Sequence, residues 1–297
     1  MRTLLIPLLL LLLGSCQEKL DLTLQVEVGD TPYNVEEERF TYEEIMPLTG
    51  NLSPHPQGGD CWGDYFFQFV NNNTAVRIYD LDSRTLIQTA KIAQRGFVSS
   101  CHCNSVCFGP DFYAEGDEFP LIYVSTGYAS GGYTGSLVYR ITRVDDQFSF
   151  TLVQTLKFPV DKSSWTEFIP TDDGFGLLCY TSERVIFKVR LPKVEEGDLV
   201  IDRSQALETF QFTPQPDWMK SSRNQDRLFY RGKLVFVSGV PQSGEASVFV
   251  MLNFETLERE KILDLKEIGL RNESESIFVW RGDLCVAFVD RIVRLYF

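Results

Sequence analysis

From Phe40 onward the chain is a succession of short apolar runs rich in β-branched and aromatic residues, separated by Gly, Asp, Asn and Pro. No long segment carries a helical period, so the pattern is that of an all-β chain. The runs fall into five sets. The first holds 65–69, 75–81 and 86–92. The second holds 105–108, 121–124, 137–141 and 150–154. The third holds 167–169, 177–180, 185–189 and 207–210. The fourth holds 228–230, 234–237, 248–251 and 261–263, and the fifth 277–280, 284–288 and 292–296. Corresponding strand positions at Tyr79, Tyr139, Lys188, Val250 and Leu295 recur about every 54 residues. Four strands at that period predict a β-propeller whose blades are longer than those of WD40 repeats. The fifth set ends at its third strand, which would leave an exposed edge and an open ring. The spare run Phe40–Met46 is expected to supply the missing outer strand. The prediction is therefore five four-stranded blades closed by an N-terminal strand, in a single domain over 40–297. A sixth blade would have to hide in the longer loops.

The N-terminus reads differently. Arg2 precedes the apolar run Leu4–Leu13, broken only by Pro7. That is too short for the ~20 residues that span a bilayer but suits a signal peptide over 1–15. It ends in Leu13-Gly14-Ser15-Cys16, which resembles the lipobox of bacterial lipoproteins, with Cys16 as the lipidated residue. Residues 16–39 are polar and acidic and read as a tether. The lipid would be the only membrane anchor.

Composition narrows the partners. The net charge of −13 repels phosphate polyanions and argues against nucleic acid. With 44% hydrophobic residues the chain has ample material for a core, so intrinsic disorder is excluded for its bulk. A chain of this size needs no disulfides, and the six cysteines after Cys16 lie mostly in apolar runs, as small buried hydrophobes do. The string Cys101-His102-Cys103-Asn104-Ser105-Val106-Cys107 invites a metal reading. In a strand, however, Cys101 and Cys107 would lie about 20 Å apart, too far to share one ion. Cys101 and Cys103 would also be a poor disulfide pair if extended. No metal or cofactor is expected there.

The strongest site signal is positional. Polar clusters open the first strand of several sets: His102 and Asn104, Trp165-Thr166-Glu167, Asn224-Gln225-Asp226, Glu273-Ser274-Glu275 and, more weakly, Gly59-Asp60. In a propeller these strands are innermost, so their openings converge on one mouth of the central channel. Asp60, His102, Asn104, Trp165, Glu167, Arg223, Asp226 and Glu275 are the candidate ligand-binding residues, with Trp165, Trp218 and Arg223 as a possible stacking wall. The glycine- and tyrosine-bearing loop 126–135 opens on the same end. Capping of the channel over ordered water is the plain alternative. Asp60, Glu167 and Glu275 also raise a glycosidase-type hydrolase, which uses a carboxylate pair, although no run matches a catalytic motif of that class. A Ser-His-Asp hydrolase fits poorly, since His55 and His102 are the only histidines and no G-x-S-x-G elbow occurs. The leading expectation is a non-catalytic binding or scaffold module for a sugar, peptide or protein.

Several strings, among them Tyr65-Phe66-Phe67-Gln68, Ile78-Tyr79-Asp80-Leu81, His102-Cys103-Asn104-Ser105, Phe119–Ser125 and Val138-Tyr139-Arg140-Ile141, together resemble an uncharacterised family of propeller lipoproteins from Gram-negative gut bacteria. The resemblance covers roughly the first half of the mature chain. It implies fold and location and transfers no site residue. Gln17 stands where an aspartate would resemble an inner-membrane retention signal, so the resemblance implies the outer membrane.

Overall fold

The computed structural model describes residues 40–48, 53–94, 96–97, 101–127, 130–159, 165–172, 174–180, 185–211, 223–256 and 258–296. The expected signal peptide, Cys16 and the tether lie outside them, as does Trp218. Among the described residues no helix is long and apolar enough to cross a membrane.

The chain forms a five-bladed β-propeller. Blade 1 runs outward as β2 (Pro56–Trp62), β3 (Tyr65–Val70), β4 (Ala75–Asp80) and β5 (Thr85–Lys91). Blade 2 runs as β6 (Val106–Phe108), β7 (Ile122–Ser125), β8 (Thr134–Val144) and β9 (Gln147–Phe158), with the two-residue β13 (Leu199–Val200) added parallel to β9 at its edge. Blade 3 holds β10 (Trp165–Thr171), β11 (Gly174–Tyr180), β12 (Val185–Arg190) and β14 (Glu208–Gln211). Blade 4 holds β15 (Asn224–Tyr230), β16 (Lys233–Ser238), β17 (Val248–Asn253) and β18 (Arg259–Asp264). Blade 5 holds β19 (Ser274–Trp280), β20 (Asp283–Phe288) and β21 (Arg291–Tyr296), and its outer strand is the N-terminal β1 (Thr41–Pro47).

The closure is the expected one. β1 pairs antiparallel with β21 from Thr41 opposite Tyr296 to Pro47 opposite Arg291, with a bulge between Glu44 and Met46. The pairing covers the C-terminal edge that a three-stranded blade would expose. One strand escaped the pattern reading. β2 is Pro-Gln-Gly-Gly-Asp-Cys-Trp and has no apolar run. Its glycines are needed for close approach, because a Cβ on Gly58 would stand 2.4 Å from the Cys103 carbonyl oxygen.

Strand alternation builds the core. Each blade sends one set of side chains to the seam before it and the other to the seam after it. On β16, Leu234 and Phe236 join the cluster between blades 3 and 4, while Val235 and Val237 join the one between blades 4 and 5. Further clusters fill the seams between blades 1 and 2 around Phe67 and Tyr139, and between blades 2 and 3 around Tyr123 and Phe168. The last seam, between blades 5 and 1, holds Phe66, Tyr79, Phe278 and Trp280 together with Ile45, Met46 and Leu48 of the closing segment. The Phe66 and Phe278 rings stack there at 4.4 Å. Phe40 packs into the neighbouring seam, 5.3 Å from Phe249. One short segment thus seals two seams.

Cys61, Cys101, Cys103, Cys107 and Cys285 are buried free thiols. Residues 101–105 are not a strand, which changes the expected geometry of the first pair. Cys103 adopts a left-handed φ of 49°, and the turn brings the Cys101 and Cys103 sulfurs to 3.3 Å. The extended spacing that would have kept them apart does not occur.

Candidate functional site

The inner strands place their polar residues in two tiers. The deeper tier is a ring at equivalent positions: Asp60 on β2, Cys107 on β6, Glu167 on β10, Asp226 on β15 and Ser276 on β19. All five are buried. Four of their side chains fasten one inner strand to the next. Asp60 Oδ2 accepts from the Phe108 N–H at 2.7 Å, and Asp226 Oδ2 from the Ile277 N–H at 3.1 Å. The Cys107 thiol donates to the Thr166 carbonyl at 3.2 Å, and the Ser276 hydroxyl to the Gln57 carbonyl at 3.3 Å. Carboxylate oxygens also accept from the next residue's own N–H, Asp60 from Cys61 and Glu167 from Phe168, both at 2.7 Å. Inner strands end their ladders at the channel, so these side chains satisfy backbone groups that no further strand can reach.

The charges of this ring stand close together. Burial raises the Cys107 thiol well above its ordinary range, and the nearby Glu167, Asp60 and Asp226 carboxylates raise it further. Burial likewise holds the Asp226 carboxyl well above the usual carboxylate range, against the bonds it accepts from Ile277 and Arg227.

The upper tier lies at the mouth and draws on blades 1, 2, 4 and 5. Asn104 donates to Gln225 Oε1 at 3.1 Å, and Gln225 Nε2 donates to Glu273 Oε1 at 2.7 Å. His55 Nδ1 stands 3.5 Å from Glu275 Oε1, and Gln57 Nε2 lies 3.3 Å from the same nitrogen. Arg223 pairs through Nε with Glu245 Oε1 at 2.9 Å, and its side chain is 63% exposed at the rim. His102 donates its backbone N–H to the Thr126 carbonyl at 2.9 Å. Burial, with the nearby His55 and Arg223, lowers the His102 imidazole to about 4, so the ring is neutral at neutral pH. Glu275 is fully buried, and burial first, then the Glu273 and Asp226 charges, hold its carboxyl well above the usual range. The 126–135 loop presses on this tier: at Gly127, with φ +71°, a Cβ would lie 2.7 Å from both Asn104 Oδ1 and His102 Cβ.

Comparison with known proteins adds structural likeness alone. No protein-family model matches the chain, and no curated protein matches it. Among solved structures it is similar to a glutaminyl cyclase of Myxococcus xanthus at 9% identity, over 87% of this chain and 94% of that one, with a TM-score of 0.46. It is also similar to the WD40 beta propeller domain of Doa1, at 12% identity over 86% and 97% of the two chains, with a TM-score of 0.41. A third likeness is to apo AztD of Citrobacter koseri, at 10% identity over 71% of this chain and 47% of that one, with a TM-score of 0.33.

The structure thus sorts the candidates by depth: His102, Asn104 and Glu275 lie in the upper tier with Arg223 on the rim, whereas Asp60, Glu167 and Asp226 lie in the deeper ring. Trp165 stands apart from them. It is buried in the seam between blades 3 and 4, with the Arg227 guanidinium 4.6 Å above its ring, and does not line the rim. The expected stacking wall therefore reduces to Arg223 among the described residues. The sequence reading named His55 only as one of two histidines and did not separate Gln225 and Glu273 from their strings. Gln225 is 121 residues from Asn104 in the chain, so only the ring geometry brings them together.

Proposed function

We propose that the protein is a lipid-anchored extracytoplasmic propeller that binds a sugar, peptide or protein partner at the channel mouth without transforming it. The observation that carries the reading is the Asn104–Gln225–Glu273 chain of hydrogen bonds. It links three blades beneath a rim where the His55 side chain is 49% and the Arg223 side chain 63% exposed. A preformed polar surface fixed by several blades, with amide and imidazole groups that both donate and accept, suits ligands rich in hydroxyl or amide groups. The net charge of −13 disfavours nucleic acid as the partner.

The alternative of a glycosidase-type hydrolase needs two carboxyls flanking a bound sugar. Asp60, Glu167 and Glu275 are at most 5% exposed, and both Asp60 oxygens are occupied by backbone N–H groups. Carboxyls this buried do not flank an open cleft among the described residues, which supports the binding reading over hydrolysis. The anchor reading rests on Cys16 after Leu-Gly-Ser, and outer-membrane placement on Gln17 beside it.

The test of function is a glycan and peptide array followed by thermal shift on the purified chain. A binder whose stabilisation is lost in Arg223→Ala or Asn104→Ala supports the reading. Turnover of chromogenic glycosides abolished by Glu167→Gln would replace it with the hydrolase. For the anchor, Cys16→Ala should abolish lipid labelling and release the protein from the membrane fraction, and an unlabelled wild-type protein would reject it.

A further inference from the structure

The upper tier contains one arrangement that hydrogen bonding among the described residues leaves incomplete. His55, Glu273 and Glu275 each offer a donor atom, and these atoms lie within 4.8 Å of one another. His55 comes from the segment leading into β2, whereas Glu273 and Glu275 flank Ser274 at the bulged start of β19. Burial is graded across the group, from exposed His55 through half-buried Glu273 to buried Glu275, so the cluster opens to solvent on its imidazole side.

Glu275 is the informative member. Its side chain is 1% exposed, and among the described residues neither of its oxygens has a hydrogen-bond donor. Among the described residues its ion-pair partner is His55, with Nδ1 3.5 Å from Oε1. Buried carboxylates are ordinarily paired, hydrogen-bonded or bound to metal. Asp60 in the tier below shows the hydrogen-bonded solution on two backbone N–H groups. Glu275 instead shares a cluster with Glu273, a second acid, and the His55 imidazole, their donor atoms within 4.8 Å of one another. Two carboxylates facing each other repel unless one holds a proton or a cation lies between them.

The donor set decides the class of cation. Calcium and magnesium take all-oxygen shells, whereas one imidazole nitrogen with two carboxylate oxygens suits first-row divalent transition ions. Metal–ligand bonds of about 2.0–2.2 Å allow ligand atoms at most about 4.4 Å apart, and His55 Nδ1 and Glu275 Oε1 already stand at 3.5 Å. The supporting contacts are in place. Gln225 holds Glu273 through Oε1 at 2.7 Å, and Asn104 holds Gln225. His55 Nδ1 lies 2.8 Å from the Pro56 carbonyl oxygen, which also accepts from Gln57 Nε2 at 2.7 Å. Pro56 therefore keeps a donor if Nδ1 turns to a metal. Such outer contacts orient ligands and raise affinity.

We propose that His55, Glu273 and Glu275 bind a first-row divalent transition cation at the channel mouth, with coordination positions left open toward solvent for a ligand oxygen. The inference rests on the mouth being the binding end and names how a hydroxyl- or carbonyl-bearing ligand would be gripped there: three protein ligands leave such ions positions to fill.

The test is calorimetric titration of the untagged, chelator-stripped full chain with zinc chloride, with calcium chloride as comparison. One zinc per chain is expected, bound more tightly than calcium and raising the melting temperature. Glu275→Gln keeps the side chain's shape, removes its charge, and should weaken zinc binding by about 10-fold or more. His55→Ala changes an exposed residue and carries the same test should Glu275→Gln fold poorly. Gln225→Ala should weaken binding less than either. Absence of stoichiometric zinc binding, calcium bound as tightly as zinc, or wild-type affinity in both ligand variants would each overturn the proposal. A protein that takes zinc but no sugar or peptide would sink the binding reading alone. One that binds a sugar or peptide equally well with and without chelator, and takes no zinc, would sink this inference alone.

Discussion

Ile45 is the sharpest probe of how the ring is held shut. It is the bulged residue of β1, between Glu44 opposite Val293 and Met46 opposite Ile292, so no direct ladder partner depends on it. Its side chain is 3% exposed and packs in the seam between blades 5 and 1 with Phe66, Tyr79, Phe278 and Ile292. Ile45→Ala leaves the backbone pairing intact and empties part of that seam. Buried isoleucine-to-alanine changes cost about 2–5 kcal/mol according to how far the cavity collapses. Here the neighbours are large rings fixed by stacking, which resist collapse, so about 3–4 kcal/mol is expected. At roughly 2–4 °C per kcal/mol for chains near this size, the melting temperature should fall by on the order of 10 °C. Urea unfolding should show the same loss as a shifted midpoint with an unchanged slope. Thr41→Ala, an exposed position on the same strand, should stay within about 0.5 kcal/mol of wild type. If Ile45→Ala and Thr41→Ala melt together, β1 does not seal the ring. If Ile45→Ala unfolds in two steps, the ring is not one cooperative unit.

Three other expectations follow from the channel and its flank. Asp60→Ala orphans the buried Phe108 and Cys61 N–H groups and should cost about 1–3 kcal/mol for each; a loss below that range in urea unfolding would show that water replaces the carboxylate. His102, lowered to about 4 by burial and the nearby His55 and Arg223, binds its proton more readily when unfolded, so its contribution is lost as pH falls from about 6.5 toward 4. His102→Gln should therefore lose less stability than wild type over that window, and parallel pH profiles would refute it. If the chain is exported as proposed, the Cys101 and Cys103 thiols, 3.3 Å apart, should close to a disulfide by passing two electrons and two protons to a thiol oxidant of that compartment. Intact mass of non-reduced protein from its native compartment should then be lighter by two hydrogens, and a fully reduced mass would contradict it.

The blades were legible because β-branched and aromatic runs recur at a regular period, and the closing strand because a three-stranded fifth set demanded one. β2 was not, since its work is done by glycines that let backbones touch, and Gly58 and Gly59 carry no apolar signal. The converging acids stood out in their strings. Their deeper role did not, because Cys107 and Ser276 do the same fastening as Asp60 with side chains that read as ordinary small residues. Trp165 was misplaced because, within the inner strand, alternation sends that position to a seam. His55 was missed because its partners, Glu273 and Glu275, lie at the other end of the chain and only ring closure brings them near. The Cys101–Cys103 approach turns on a left-handed residue at Cys103, which no strand pattern announces.

The channel mouth is the end at which a ligand is expected to bind. Hydrogen exchange along the whole chain, with and without the strongest sugar or peptide from the array, addresses this directly. Protection should concentrate in the segments that open the inner strands, around 53–58, 101–105, 223–226 and 272–276, with the outer strands β5, β9 and β18 unchanged. Protection confined to those outer strands, or a ligand that leaves the mouth segments exchanging as before, would contradict it.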